Sequence, residues 1–286
     1  MPTTYTHQRF GSECLAALPE ERREAVQRYR GLYDTGVHGP DIFFYYHPVC
    51  PNRVTSYGSA LHRRSAREFF TRARLPWMTH HDKDAMLSYL LGFLSHFALD
   101  SACHGYVDSR AADGPISHMA IEGEYDRMLM ERDGLDASEK AHLPASPADR
   151  AVWEAASMAF VHASPEQMRR AYRSMNFYSS FLARSNGRVR GKVIGAVSHM
   201  LPIPSAKGIA LKEEPHPSAA ESNADLDQLL EAAVPETAEQ LTAFFRAIEE
   251  EAPVPHWFDR DFKGNPPRPT QRISWPSGRT RHLTVT

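Results

Sequence analysis

SHFALDSACHGYVDSRAADGPISHMAIE, residues 95–122, places His96, Asp100 and His104 at four-residue steps, then His118 and Glu122 at the same step. On an α-helix each such step rotates a side chain by only ~40°, so the first three form one slowly drifting ridge. A Gly/Pro-containing loop (Gly114-Pro115) separates that helix from a second one carrying His118 and Glu122. The longest apolar stretch, Ala85–Ala98, leads into the ridge and is broken by Ser88, Gly92, Ser95 and His96. It therefore reads as a buried helix and not as a membrane span.

Working outward, the 3.6-residue period recurs over Cys14–Tyr29, Ala60–Ala73, Lys83–Tyr106, Ile116–Glu131, Ala148–Val161, Pro165–Ala183 and Gly187–Leu201. Asp225–Ala233 and Glu236–Glu251 make a further pair split at Pro235, a residue suited to a first helical position. No β-branched run alternates long enough to make a strand, so the fold class is all-α. Gly36–Ser59, rich in Gly, Pro and aromatic residues, is expected to be a long functional loop. Residues 1–251 read as one helical domain. From Ala252 to Thr286, six prolines and six Lys/Arg without helical period mark an irregular basic tail, expected to drape over the domain or stay partly disordered.

Composition narrows the function. The chain has 286 residues and a formal net charge of −2, so no global basic field recruits nucleic acid. Three scattered cysteines without a C-x-x-C argue against a disulfide framework or a thiolate zinc site. The first residues contain no apolar run of signal-peptide length, which sets a cytoplasmic location as the expectation. Histidine is the anomaly: nine of 15 fall in the first 118 residues.

Five of the potential donors occupy the 27 residues from His96 to Glu122, on otherwise apolar helices. Burying them unpaired would be costly, because a buried charge needs a partner or a metal. Helical i, i+4 pairs of His and carboxylate suit a divalent ion, since both heads reach one point above the helix. His96 and His104 are eight residues apart, roughly 12 Å along the axis at ~1.5 Å per residue. With Zn–N bonds of ~2.0–2.1 Å, two such rings do not share one ion. The ridge thus implies at least two metals, with Asp100 between them. His96 and Asp100 would serve one, and His104, His118 and Glu122 the other.

These residues resemble the zinc-dependent phospholipase C family of bacteria, related in fold to P1-type nucleases. The resemblance rests on Thr6-His7, Gly39-Pro40-Asp41, Gly58-x-x-x-His62, Leu91-Gly92-Phe93-x-x-His96-x-x-x-Asp100-x-x-x-His104 and His118-x-x-x-Glu122. It implies a single multi-helix domain and a zinc cluster of two or three ions. Asp41, His62, His96 and Asp100 would hold the first ion, and His104, His118 and Glu122 the second. His7 and Asp100 would help hold a third, where the family also uses a tryptophan at the mature N-terminus; this chain reads MPTTYTHQ. The implied activity is hydrolysis of a phosphoester, foremost a phospholipase C-type phosphodiester, by metal-activated water with Asp41 as general base. A P1-like nuclease or a phosphomonoesterase would use the same metals. A metal-stabilised interaction module is the non-enzymatic alternative, but a structural zinc closes its shell with four protein ligands and needs no cluster.

Four further features have ordinary explanations. Phe43-Phe44-Tyr45-Tyr46 reads as core packing, and His80-His81-Asp82 as a helix N-terminus. Turn chemistry accounts for Asp108 and Asp113 between the ligand helices. Asp126, four residues past Glu122, suits either support of the donors or a surface position.

Overall fold

Helix boundaries here are set by prolines and by side-chain caps. The computed structural model describes residues 4–48, 50–183 and 214–266, and among these there is no strand. Helix α1 is Thr4–Ala16 and α2 is Glu20–Arg28. The expected single helix Cys14–Tyr29 is therefore two, because Pro19 restricts Leu18 and stands outside α2 as its cap. Helix α3, Arg30–Gly36, leads into a 3-10 turn, Gly39–Tyr45, and α4 follows at Arg53–His62. The expected loop Gly36–Ser59 is thus largely ordered: Asn52 caps α4 by accepting from the Thr55 N–H at 2.9 Å. Ser65 caps α5, Ala66–Thr79, which separates it from α4 where one helix over Ala60–Ala73 was expected.

Helix α6, Lys83–Asp113, is the axis of the fold, 31 residues and so about 46 Å long. Asp82 caps it, in keeping with the reading of His80-His81-Asp82. It runs seven residues beyond the expected end at Tyr106, so Asp108 and Asp113 lie on the helix and not in a loop. Every side chain from Ala85 to Asp100 is buried, because α1, α2, α3, α5, α7, α8 and α10 all pack on it. Among the described residues α6 is the one helix long and apolar enough to cross a membrane, and 83% of its most apolar window is buried inside the protein.

Glycine sets the closest crossing. A Cβ on Gly92 would lie 2.2 Å from the Tyr33 carbonyl oxygen, so α3 and α6 touch backbone to backbone.

The remaining helices are α7 (His118–Arg132), α8 (Arg150–Ser157), α9 (Pro165–Ala183) and α10 (Ala219–Glu249). Helix α10 runs unbroken through Pro235, where a split was expected. Pro235 and Glu231 both face solvent, so water satisfies the carbonyl that Pro235 leaves unpaired. The expected helix Gly187–Leu201 and the tail beyond 266 lie outside the described residues. Residues 252–266 fold onto the helices as a strap. Arg74 donates to the Ala252 carbonyl at 2.8 Å, Ser65 to that of Phe258 at 3.2 Å, and Phe258 and Phe262 are buried. The three cysteines are free thiols.

Candidate metal centre

Five elements deliver eight side chains to one region. Helix α6 contributes His96, Asp100 and His104, and α7, packed against it, contributes His118 and Glu122. His7 comes from the second turn of α1, Asp41 from the 3-10 turn and His62 from the last position of α4. They gather into three groups: His7, His96 and Asp100; Asp41, His62 and His96; His104, His118 and Glu122. Within each group one donor atom per residue lies within 4.8 Å of the others. His96 and His104 fall in different groups, as their separation along α6 requires. Asp100 stands between: Oδ1 is 3.2 Å from His7 Nε2 and 3.3 Å from His104 Nδ1. Its Oδ2 is 3.2 Å from His96 Nε2 and 3.8 Å from His62 Nε2.

Hydrogen bonding tells which ring nitrogens are available. His62 Nδ1 lies 2.8 Å from the Gly58 carbonyl, His104 Nδ1 3.2 Å from the Asp100 carbonyl and His118 Nδ1 3.0 Å from Asp108 Oδ1. Those partners only accept, so each Nδ1 donates and each neutral ring keeps its lone pair on Nε2. That Nε2 faces another acceptor: Asp41 Oδ1 at 2.8 Å from His62, and Glu122 Oε1 at 3.1 Å from His118 and 3.6 Å from His104. Lone pair against carboxylate is stable only with a proton or a metal cation between them.

Buried atoms without partners point to the cation. Asp41 Oδ2, Asp100 Oδ2, Glu122 Oε2, His7 Nδ1 and both nitrogens of His96 make no hydrogen bond among the described residues. The 3.2 Å approach of His96 Nε2 to Asp100 Oδ2 lacks hydrogen-bond alignment, so the two converge on a common point without bonding to each other. A buried set of imidazole and carboxylate donors without thiolate fits zinc.

Electrostatics holds the acids ionised. Burial would raise Asp41, but the His96 and His62 rings outweigh it and keep the carboxyl below its ordinary range. Asp100 is held well below, burial being overcome by His104, His96 and His7. His62 is raised, since Asp41 beside it overrides burial, and Glu122 does the same for His118. His38, in the core, is pushed down to about 3 by burial and by the neighbouring His7 and His96, so it is neutral.

A sequence model of the zinc-dependent phospholipase C family matches residues 6–180, a span that holds every one of the eight side chains. The chain belongs to that family. Comparison with curated proteins and with solved structures finds no match. The family span runs from α1 into α9, leaving α10 and the 252–266 strap beyond it.

Several residues behind this candidate centre carry no clear signal in the sequence. Asp126 is buried and accepts from the N–H groups of Tyr5 (3.1 Å) and Thr6 (2.7 Å) and from the Thr6 hydroxyl (2.7 Å). It thereby caps the first turn of α1 and fixes the helix that carries His7. Gly39, at φ +46°, lets backbone lie against a candidate ligand: a Cβ there would be 2.3 Å from His96 Cδ2. The aromatic run divides, with Phe43 and Tyr45 in the core as expected and Phe44 tilted over His62 at 5.2 Å.

Proposed function

We propose that this member of the family hydrolyses a phosphoester, with a phospholipase C-type phosphodiester as its substrate and zinc held by the eight gathered side chains. Asp41, His62, His96 and Asp100 hold one ion and His104, His118 and Glu122 a second. His7 and Asp100 supply donors for a third. The observation carrying this reading is the gathering of eight imidazole and carboxylate side chains into three groups, with Asp41 Oδ2, Asp100 Oδ2, Glu122 Oε2 and His96 Nε2 buried and unpartnered among the described residues. Zinc bound there supplies the Lewis acidity that brings water toward a pKa near neutrality and neutralises charge building on the phosphoryl oxygens.

The chain's own residues do the rest. Asp41, held against His62 through Oδ1, offers its carboxylate as the acceptor for a proton from the attacking water. The water oxygen bonds to phosphorus as the bond to the leaving alcohol breaks; the proton taken by Asp41 passes through solvent to the alcohol oxygen, which restores the Asp41 carboxylate. Asp100, wholly buried among four imidazoles, acts as an anionic spacer that keeps the clusters together.

Asp41→Asn tests this assignment. Turnover of a chromogenic phosphodiester should fall by at least ~100-fold, the usual contribution of general-base catalysis, while zinc at His104, His118 and Glu122 is retained. Full activity in that variant removes Asp41 from the role. Comparing the diester with a monoester and with single-stranded DNA on the wild-type enzyme distinguishes this reaction from the phosphomonoesterase and nuclease alternatives.

A further inference from the structure

The strap lies outside the family-matched span, yet it touches two of the three donor groups. Phe262 is 2% exposed and its ring is 5.1 Å from that of His62 and 5.9 Å from that of His96. Next to it, Lys263 pairs through Nζ with Asp108 Oδ2, while Asp108 Oδ1 is 3.0 Å from His118 Nδ1. One carboxylate therefore joins the strap to a candidate ligand.

We propose that the strap completes the metal centre: Lys263, acting through Asp108, is a positioning residue for His118, and Phe262 walls in His62 and His96.

A ligating imidazole must keep one lone pair aimed at the ion, and a carboxylate accepting from its other nitrogen fixes both tautomer and ring rotation. Asp108 meets that need; its side chain is 38% exposed, and its side-chain partners among the described residues are His118 and Lys263. Pairing with Lys263 fixes the second carboxylate oxygen and so the rotamer. Lys263 is itself set by the chain on either side. Asp261 accepts from the backbone N–H groups of Lys263 and Asn265, each at 2.9 Å, closing a tight turn. Gly264, at φ +75°, lies so close to α6 that a Cβ would stand 2.5 Å from the Ser101 carbonyl oxygen. Only glycine lets the strap descend onto the ligand helix at that point.

The inference rests on the zinc assignment, so the test begins by measuring zinc per wild-type chain. The full-length protein, its Lys263→Met, Lys263→Arg and Asp108→Ala variants and the double variant are then titrated with a chromophoric zinc chelator. Cobalt-substituted samples report ligand geometry by their visible spectra. Asp108→Ala should weaken the zinc at His104, His118 and Glu122 by about 10–100-fold, the usual effect of removing a partner that orients a ligating histidine. Lys263→Met should weaken the same ion in the same direction, Lys263→Arg should restore it, and the double variant should be no weaker than Asp108→Ala alone. Wild-type affinity and cobalt spectrum in Lys263→Met, or additive losses in the double variant, would overturn the positioning role. Absence of zinc from the wild-type chain would overturn the zinc assignment itself. For the wall, Phe262→Leu should retain zinc at the Asp41/His62/His96 group and Phe262→Ala should loosen it; equal binding by both refutes that part.

Discussion

Alanine at Gly39 would test the centre through its most confined contact. A Cβ there stands 2.3 Å from His96 Cδ2, whereas ordinary contact begins at 3.4 Å, so about 1 Å must be found. The ring cannot easily yield it. His7 stacks on one face at 4.3 Å, and Phe262 lies 5.9 Å away. Backbone adds its own cost, because φ at Gly39 is +46° and an L-residue there loses roughly 1–2 kcal/mol. Overpacking of a closed site contributes about 1–3 kcal/mol more. The expected loss is thus about 2–5 kcal/mol, a fall in Tm of roughly 3–8 °C for a chain of this size. Zinc should respond more sharply than stability: a shift of about 1 Å is several times the ~0.2 Å latitude of a metal–ligand bond. Zinc per chain by mass spectrometry should drop by one while the His104/His118/Glu122 ion stays. A stable variant with full zinc, or a destabilised one with full zinc, would refute the reasoning, the second by placing the strain in backbone alone.

Three other outcomes follow from the same structure. Gly92→Ala pushes α3 from α6 at the Tyr33 carbonyl, a cost of about 1–3 kcal/mol that the ~1 kcal/mol alanine gains in a helix only partly offsets, so urea unfolding should show a net loss of up to about 2 kcal/mol; a stabilised variant contradicts the close crossing. Removing zinc with a chelator leaves buried carboxylates facing imidazole lone pairs, so Tm should fall by more than ~5 °C and recover when zinc is restored; an unchanged melt argues against ligation. Burial lifts Asp126 to about 6, above its unfolded value of ~3.9, so its contribution to stability is full below that value and is lost as pH rises to about 6. The step amounts to roughly 3 kcal/mol, and Asp126→Asn should flatten it in a Tm-against-pH series; an identical profile in that variant rules it out.

What could be read in the sequence was local. The ridge of His96, Asp100 and His104, and the His118–Glu122 step, follow from helical period alone, and so does the need for more than one group along α6. His7, Asp41 and His62 sit on other elements, and only their resemblance to family motifs linked them to the ridge. Helix breaks at Pro19 and Ser65 were missed because apolar period continues across them, and α10 was split because period and proline disagreed at a solvent-facing turn. Asp126 and Lys263 reach partners 120 and 155 residues away, and no local pattern encodes such pairs. Gly39 stands in the sequence only as the first residue of the Gly39-Pro40-Asp41 motif; its importance lies in what its missing side chain allows beside His96.

The way Asp126 clamps the start of α1 bears on the order in which this protein matures. Tyr5 and Thr6 leave the ribosome long before the acid that holds them, and the strap at Phe262 arrives later still. All eight donors exist once Glu122 has been made, but Phe262 and Lys263, which pack beside them, come only near the end of synthesis. The donors themselves meet only where α1, the 3-10 turn, α4, α6 and α7 have docked, so a complete set of ligands is a product of the tertiary fold and not of any one segment.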